Sequence, residues 1–200
     1  HRTVIVPQLG ATGVAAHEVK KRTGFRVEYG PVRARDLPAY LATRQATPEM
    51  RRVWFDLRDR LPLIPVEVVH AFLPMVAVAA IAFLLGGFLA AGAVVAAVFA
   101  GVVLFPILLP WVPTRDFSTK GFVLGGLVIV PFALAYLLDG GETAWWFRGG
   151  WALTFFLAIP PVTAYLALLF TGSTTFTSRT GVKREIFTYV PAMAWLFGIG

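Results

Sequence analysis

The sequence predicts a membrane protein in which a short α/β segment precedes an all-α transmembrane bundle of about five helices. Residues 71–112 contain no charged side chain, whereas a helix needs only about 20 apolar residues to cross a bilayer core of roughly 30 Å. This run is long enough for two crossings, and Gly86-Gly87 divides it. The composition agrees, since 57% of the residues are hydrophobic and 14% are charged, against about 25% charged in soluble domains.

The segment before the membrane domain, residues 1–65, is predicted to be the C-terminal part of a Rossmann-like α/β domain. Strands are expected at Thr3–Val6, Phe25–Tyr29 and 53–57, with helices over 14–22 and 34–43. Strands separated by helices favour a parallel sheet. Because about 65 residues are few for an independent α/β domain, we expect the rest of the domain to lie upstream of residue 1.

The membrane domain is predicted to span residues 66–200, after the proline-containing junction at 61–65. Its helices are expected at about 66–86, 88–110, 120–138, 150–170 and 186–200, the last of them cut short. Gly121-x-x-x-Gly125 fits close helix packing. No buried charge is expected within these helices, and this disfavours a transporter with a proton or ion path.

The charge distribution predicts a multi-pass protein of the cytoplasmic membrane with its N-terminal domain in the cytoplasm. Residues 1–65 carry twelve Lys/Arg against six Asp/Glu. The loops 113–120 and 171–185 add five bases, whereas the loop 139–150, with Asp139 and Glu142, has one. The basic excess is interpreted as a face beside anionic lipid. Nucleic-acid binding is disfavoured, because the bases alternate with acids and no reading motif is present.

The turns that follow the first two predicted strands are the leading candidate site. In open α/β sheets, ligands bind beyond the carboxyl ends of the strands, where glycines let backbone approach a ligand and a helix N-terminus favours phosphate. The alternative is a tight βα turn with no ligand. The candidate residues are Gln8, Leu9, Gly10, Thr12 and Gly13 in the first turn and Gly30, Pro31 and Arg33 in the second.

Two other polar features have competing interpretations. His17-Glu18 suits an acid/base or ligand histidine, but a solvated helix face is favoured because no nucleophile or orienting group accompanies it. The hydroxyl-rich loop 171–185 is either a polar loop with basic anchors or a docking surface for a partner. The absence of cysteine excludes disulfides, thiolate metal sites and a cysteine nucleophile within these residues.

Three runs of the sequence together resemble one family, the membrane-anchored corrinoid proteins of mercury methylation (the HgcA family). Their soluble part is related to the corrinoid iron–sulfur protein, the delta subunit of CO dehydrogenase/acetyl-CoA synthase. The soluble relatives lack the membrane domain, and this favours the mercury-methylation branch. The runs are TVIVPQLGATGVAAHEVKKRTGFRVEYGPVRARDLPAYL (3–41), ATPEMRRVWFDLRDRLPLIPVE (46–67) and FTGSTTFTSRTGVKREI (170–186).

The resemblance implies a methyltransferase of anaerobes. A Rossmann-like domain binds a cobalamin-type corrinoid, whose cobalt delivers a methyl group to Hg(II) to form methylmercury. The expected partners are a ferredoxin-like protein with two [4Fe–4S] clusters, a methyl donor from one-carbon metabolism and the lipid bilayer. The cofactor supplies the chemistry, and the protein binds and tunes it. The eight turn residues carry over as the corrinoid-binding positions.

The chain departs from the family pattern at the cobalt ligand. Members carry a cap-helix motif whose Cys is the lower ligand of cobalt, and the family places that motif upstream of residue 1. No catalytic or metal-ligating residue is therefore expected in this chain, which should be inactive alone. Two alternatives stay open: a membrane-tethered corrinoid methyl carrier of the acetyl-CoA pathway, and a non-catalytic membrane anchor that recruits a partner through residues 171–185.

Overall fold

The computed structural model of the protein describes residues 2–138, 144–174 and 178–200. The chain separates into two compact units, His1–Trp54 and Phe55–Gly200. The division precedes the predicted junction at 61–65, and Arg60, whose side chain donates a hydrogen bond of 2.6 Å to the carbonyl oxygen of Pro106, belongs to the second unit. Asp139 and Glu142, and residues 175–177 of the hydroxyl-rich loop, lie outside the described residues.

The first unit contains a two-stranded parallel sheet. Val4 pairs with Val27, and Pro7 pairs with Gly30 at the carboxyl ends. This confirms the two predicted strands and their parallel arrangement, whereas a larger Rossmann-like domain stays a prediction. The elements are β1 (Thr3–Pro7), a 3-10 turn (Gln8–Thr12), α1 (Ala16–Thr23), β2 (Arg26–Gly30), a 3-10 turn (Ala34–Asp36) and α2 (Leu37–Thr43).

The predicted strand over 53–57 is wrong. Phe55 is buried and has a φ of 36°, which takes the backbone out of the β region. The carbonyl oxygen of Asp56 then accepts hydrogen bonds from the backbone N–H groups of Asp59 and Arg60, at 3.0 and 3.2 Å. These bonds close the turn that starts the first helix of the second unit.

The second unit is helical. Among the residues that the structure describes, three helical segments are long and apolar enough to cross a membrane, namely Leu57–Leu108, Phe117–Leu138 and Trp145–Gly172. The elements are α3 (Leu57–Arg60), a 3-10 turn (Leu61–Leu63), α4 (Ile64–Phe99), a π turn (Ala100–Leu104), α5 (Phe105–Leu108), α6 (Phe117–Leu138), α7 (Trp145–Leu169), a 3-10 turn (Phe170–Ser173) and α8 (Arg179–Ile199).

The predicted break at Gly86-Gly87 is confirmed. Both glycines have non-helical angles, and Gly87 has a φ of 70° with a ψ of −161°, a conformation that glycine adopts without steric cost. Ala71 and Val98 line the same cavity, although a straight helix would place them about 40 Å apart. The two halves of α4 therefore fold back on each other as a hairpin.

Helix α8 begins earlier than predicted. Its start at Arg179 rather than residue 186 follows from the N-cap at Ser178, whose Oγ accepts a hydrogen bond of 3.1 Å from the backbone N–H of Gly181. The prediction of a loop through residue 185 is therefore wrong from residue 179 onward. With 21 residues, α8 is about 32 Å long.

Helices α6 and α7 pack with their backbones in direct contact. A Cβ added at Gly121 would lie 2.4 Å from the Cα of Ala164, and one at Gly125 would lie 2.8 Å from the Cα of Pro160. The prediction that Gly121-x-x-x-Gly125 mediates close packing is confirmed. A core of small and large apolar residues extends from this contact into the hairpin; it consists of Ala90, Ala93, Ala97, Ile129, Phe155 and Ile159.

Candidate functional site

The two predicted cofactor-binding turns leave the sheet side by side. Pro7 and Gly30 are the last paired residues of β1 and β2, and the turns Gln8–Gly13 and Gly30–Arg33 start there. The parallel register therefore brings both turns to one edge of the sheet. This is the edge beyond which open α/β sheets bind their ligands.

The first turn is held by hydrogen bonds of its own backbone and by one tyrosine. The carbonyl oxygen of Gly10 accepts from the N–H groups of Gly13 and Val14, at 3.0 and 2.9 Å. The Tyr29 hydroxyl of β2 donates to the carbonyl oxygen of Val14 at 2.6 Å. Tyr29 thus ties the end of this turn to the second strand.

Gly10 and Gly13 differ in their surroundings. A Cβ added at Gly10 would lie 2.7 Å from Cγ1 of Val6, a β-branched side chain that turns with difficulty. At Gly13 the nearest atom would be the carbonyl oxygen of Gly10 at 3.9 Å, and the φ of Gly13 is −110°. Packing on β1 thus explains Gly10, whereas Gly13 leaves the backbone open to approach.

The second turn is less accessible than the first. Gly30 and Pro31 are buried, and a Cβ on Gly30 would lie 2.8 Å from Cγ2 of Ile5. The N–H of Val32 donates to the carbonyl oxygen of Met50 at 2.8 Å. Arg33 is half-buried, so of the three predicted residues in this turn it is the one with a partly accessible side chain.

A buried tyrosine beside the sheet is a feature that sequence reasoning missed. The Tyr40 hydroxyl of α2 donates to Oε1 of Glu28 in β2, and Oε2 of Glu28 lies 3.5 Å from Nη1 of Arg44. The hydrogen bond to Glu28, together with burial, raises the pKa of Tyr40 above its ordinary value. Nothing in the local sequence pattern pairs these residues, because Glu28 and Tyr40 belong to different elements.

His17 lies on the open face of α1. Its side chain is 83% exposed and Nε2 is 4.0 Å from Oε1 of Glu18. Glu18 also contacts Arg22, at 3.2 Å between Oε2 and Nε. These contacts agree with the solvated helix face favoured by the sequence and place no nucleophile beside the imidazole.

Two cations are buried at one helix end of the second unit, which the sequence did not predict. Lys120 and Arg60 are buried, and both donate to backbone carbonyls at the end of α5. Nζ of Lys120 is 3.0 Å from the carbonyl oxygen of Leu109, and Nη1 of Arg60 contacts those of Pro106 and Ile107. The last carbonyls of a helix have no intrahelical partner and favour cations, so these two side chains cap α5.

A buried carboxylate caps the N-terminal end of α6. Oε2 of Glu185 in α8 accepts from the backbone N–H and from Oγ of Ser118, both at 3.0 Å. Ser118 lies in the first turn of α6, where orphan N–H groups favour an anion. Lys120, Arg60 and Glu185 are thus matched to helix ends rather than to a path through the helices.

Over the described part of the chain, these features define a helical protein with three helices long and apolar enough to cross a membrane and a small parallel sheet. Protein-family models, curated proteins and solved structures contain no match to the chain. The function is therefore inferred from the contacts of the residues themselves and from the resemblance of the three sequence runs.

Proposed function

We propose that the chain is the membrane-anchored part of a corrinoid-dependent methyltransferase that transfers a methyl group from cobalt to Hg(II) and forms methylmercury. The observation that carries the proposal is the meeting of two turns at one sheet edge. The resemblance to the mercury-methylation family singles out both turns, and the pairing of Pro7 with Gly30 places them next to each other.

The chemistry of this edge suits a corrinoid, whose rim carries amides and whose nucleotide tail carries a phosphate. Gln8 offers an amide, Thr12 an exposed hydroxyl and Arg33 a guanidinium. Gly13 leaves room for the backbone to approach a flat ligand. When bound, the corrinoid supplies a cobalt-bound methyl group. The residues of this chain would hold the rim and tail, since the chain contains no Cys and the resemblance places the cobalt ligand upstream.

The membrane arrangement is part of the proposal. We count the α4 hairpin as two crossings and add α6, α7 and α8, five membrane helices in all. We assign the first unit to the cytoplasm because the basic residues are concentrated in that unit and in the loops assigned to the same side. Its location there gives it access to a methyl donor from one-carbon metabolism and to a ferredoxin-like protein with two [4Fe–4S] clusters. Hg(II) is the proposed substrate. The basic excess of the first unit suits a position beside anionic lipid.

The site is tested by blocking Gly13 in the intact protein and measuring the corrinoid that stays bound after purification, from its visible absorbance. The nearest atom to a Cβ at Gly13 would be the carbonyl oxygen of Gly10, at 3.9 Å, so we expect Gly13→Trp to fold. Its indole would occupy the space of the cofactor, and most of the corrinoid should be lost. Lys21→Trp, on the exposed last turn of α1, is the matched control and should retain it.

The test also needs the helix content of both variants and the corrinoid content of the wild-type protein. Circular dichroism must show the same helix content in both variants, which separates a blocked site from an unfolded one. Full corrinoid content in Gly13→Trp contradicts the site. The absence of corrinoid from the wild-type intact protein contradicts the proposed function and favours the non-catalytic anchor.

A further inference from the structure

A long apolar cavity lies inside the helical unit. Its volume is about 420 Å³, and four helical surfaces line it: the two halves of α4, α7 and α8. On the first half of α4 the lining runs from Ala71 to Leu85, and on α7 it runs from Trp151 to Leu166. The lining residues on each helix recur at three- and four-residue intervals, so each helix presents a single face to the cavity.

The walls offer almost nothing to a polar ligand. None of the lining residues is charged, and Thr154 is the lining residue that carries a hydroxyl. A polar group buried there without partners would cost about 1–3 kcal/mol or more. The occupant must therefore be hydrocarbon over the length that it inserts.

The dimensions exclude a helix as the occupant. The face of α7 from Trp151 to Leu166 is about 22 Å long at 1.5 Å per residue. All the empty space of the cavity, its open mouth included, is about 1270 Å³, which over this length gives a mean cross-section of about 58 Å², below the roughly 80–110 Å² of a helix that is 10–12 Å wide. A single hydrocarbon chain is slender enough, and about 22 Å exceeds half of a bilayer core of roughly 30 Å.

The cavity is continuous with the lipid-facing surface of the protein. Three of its lining residues, Ile81, Leu85 and Phe197, are 58%, 73% and 52% exposed. A second apolar cavity of about 310 Å³ between α7 and α8 shares Val162, Leu166 and Phe197 with the first. A chain from the surrounding bilayer thus reaches the cavity sideways, without crossing a polar barrier.

We propose that this cavity is a binding site for the acyl chain of a bilayer phospholipid, held between the α4 hairpin and helices α7 and α8. The bound chain fills the space that the helices leave open. It completes the packing of the hairpin against α7, where a Cβ added at Gly86 would lie 2.9 Å from Cη2 of Trp151. The inference stands apart from the corrinoid proposal, because it uses no residue of the first unit.

The experiment uses the full chain in mild detergent and a phosphatidylcholine that carries a photoreactive diazirine on its acyl chain. After illumination, mass spectrometry locates the adducts. We expect labelling concentrated on the two lining faces, 71–85 and 151–166. Two substitutions fill the cavity from opposite walls, Ala158→Phe and Ala82→Leu. Each should reduce the labelling by about tenfold, because the larger side chain occupies space that the acyl chain needs and both cannot fit without overpacking.

Leu153→Phe is the matched control, because Leu153 lies on α7, is 59% exposed and is not among the lining residues. It should leave the labelling unchanged. Two cavity-filling variants are used so that a failure of one to fold does not end the test. Labelling spread over exposed residues such as Leu127, unaffected by both fillings, would overturn the proposal. A cross-link to a second copy at the cavity would also overturn it.

Discussion

The two units of this chain differ in the contacts that stabilise each of them internally. In the second unit, helices approach so closely that a single added carbon at Gly121 would lie 2.4 Å from the backbone of α7. In the first unit, Tyr40 is the one described large side chain that is buried, and Val4 in β1 remains 43% exposed. The helical unit is specified by tight packing, whereas the sheet unit relies on local hydrogen bonds and a few side-chain contacts.

The difference follows from how much apolar surface each unit covers. A two-stranded sheet has two edges and is at best marginally stable alone, and its strands here are only half-buried. The helices of the second unit satisfy their own backbone groups, which makes close contact between small residues sufficient for packing. Substitutions in the second unit should therefore have the larger effects on stability.

The largest effect is expected at the contact between α6 and α7. Gly121→Ala should lower the free energy of unfolding by about 3 kcal/mol, because the added Cβ overlaps backbone that has no free space to move. Gly126→Ala on the same helix meets no atom within 4 Å and should be neutral or slightly stabilising. Reversible unfolding in mixed micelles measures both, and equal effects would contradict the packing argument.

A smaller effect is expected at the buried carboxylate. Glu185→Ala should destabilise the second unit by about 2 kcal/mol, because the N–H and hydroxyl of Ser118 lose their acceptor while buried. Thr188→Ala on the exposed side of α8 is the control and should change stability by less than about 0.5 kcal/mol. The same unfolding measurement applies. If Glu185→Ala left the free energy of unfolding unchanged, the capping role of Glu185 would be contradicted.

In the first unit, Tyr40→Phe should lower the free energy of unfolding by about 1 kcal/mol, and this effect depends on pH. The pKa of Tyr40 is raised, so its hydrogen bond to Glu28 contributes fully below the ordinary tyrosine pKa of about 10. That contribution is lost as the pH rises through the folded-state pKa. Tyrosinate absorbance compared between wild type and Tyr40→Phe isolates this titration. A midpoint at or below the ordinary value would contradict it, and Glu28→Gln should shift it downward.

The smallest effect is expected at His17. Because this side chain is 83% exposed, His17→Ala should change the stability of the first unit by less than about 0.5 kcal/mol. It should also leave the bound corrinoid of the intact protein unchanged. Loss of corrinoid in this variant would revive the interpretation of His17 as a ligand.

The features that the sequence predicted correctly are those with a local signal. The break at Gly86-Gly87, the contact of Gly121-x-x-x-Gly125 and the strands β1 and β2 all follow from short patterns within a few residues. The strand expected over 53–57 failed at Phe55, which is buried and has a φ of 36°, outside the β region. Its apolar pattern alone does not reveal this.

Long-range partners explain what the sequence did not reveal about the polar residues. Arg60 and Lys120 look like loop charges until α5 supplies the carbonyls that they cap. At the candidate site, the pattern located both turns but did not separate Gly10, which packs against Val6, from Gly13, which is open. That distinction needs the position of β1 relative to the turn.

The most direct test is a methylmercury assay on the intact protein loaded with methylated corrinoid, given Hg(II) and compared with its Gly13→Trp variant. We expect methylmercury from the wild type and very little from the variant. Bound corrinoid that passes its methyl group to a thiol or protein acceptor, with no methylmercury formed, would contradict mercury methylation and assign the chain to methyl transfer in carbon metabolism.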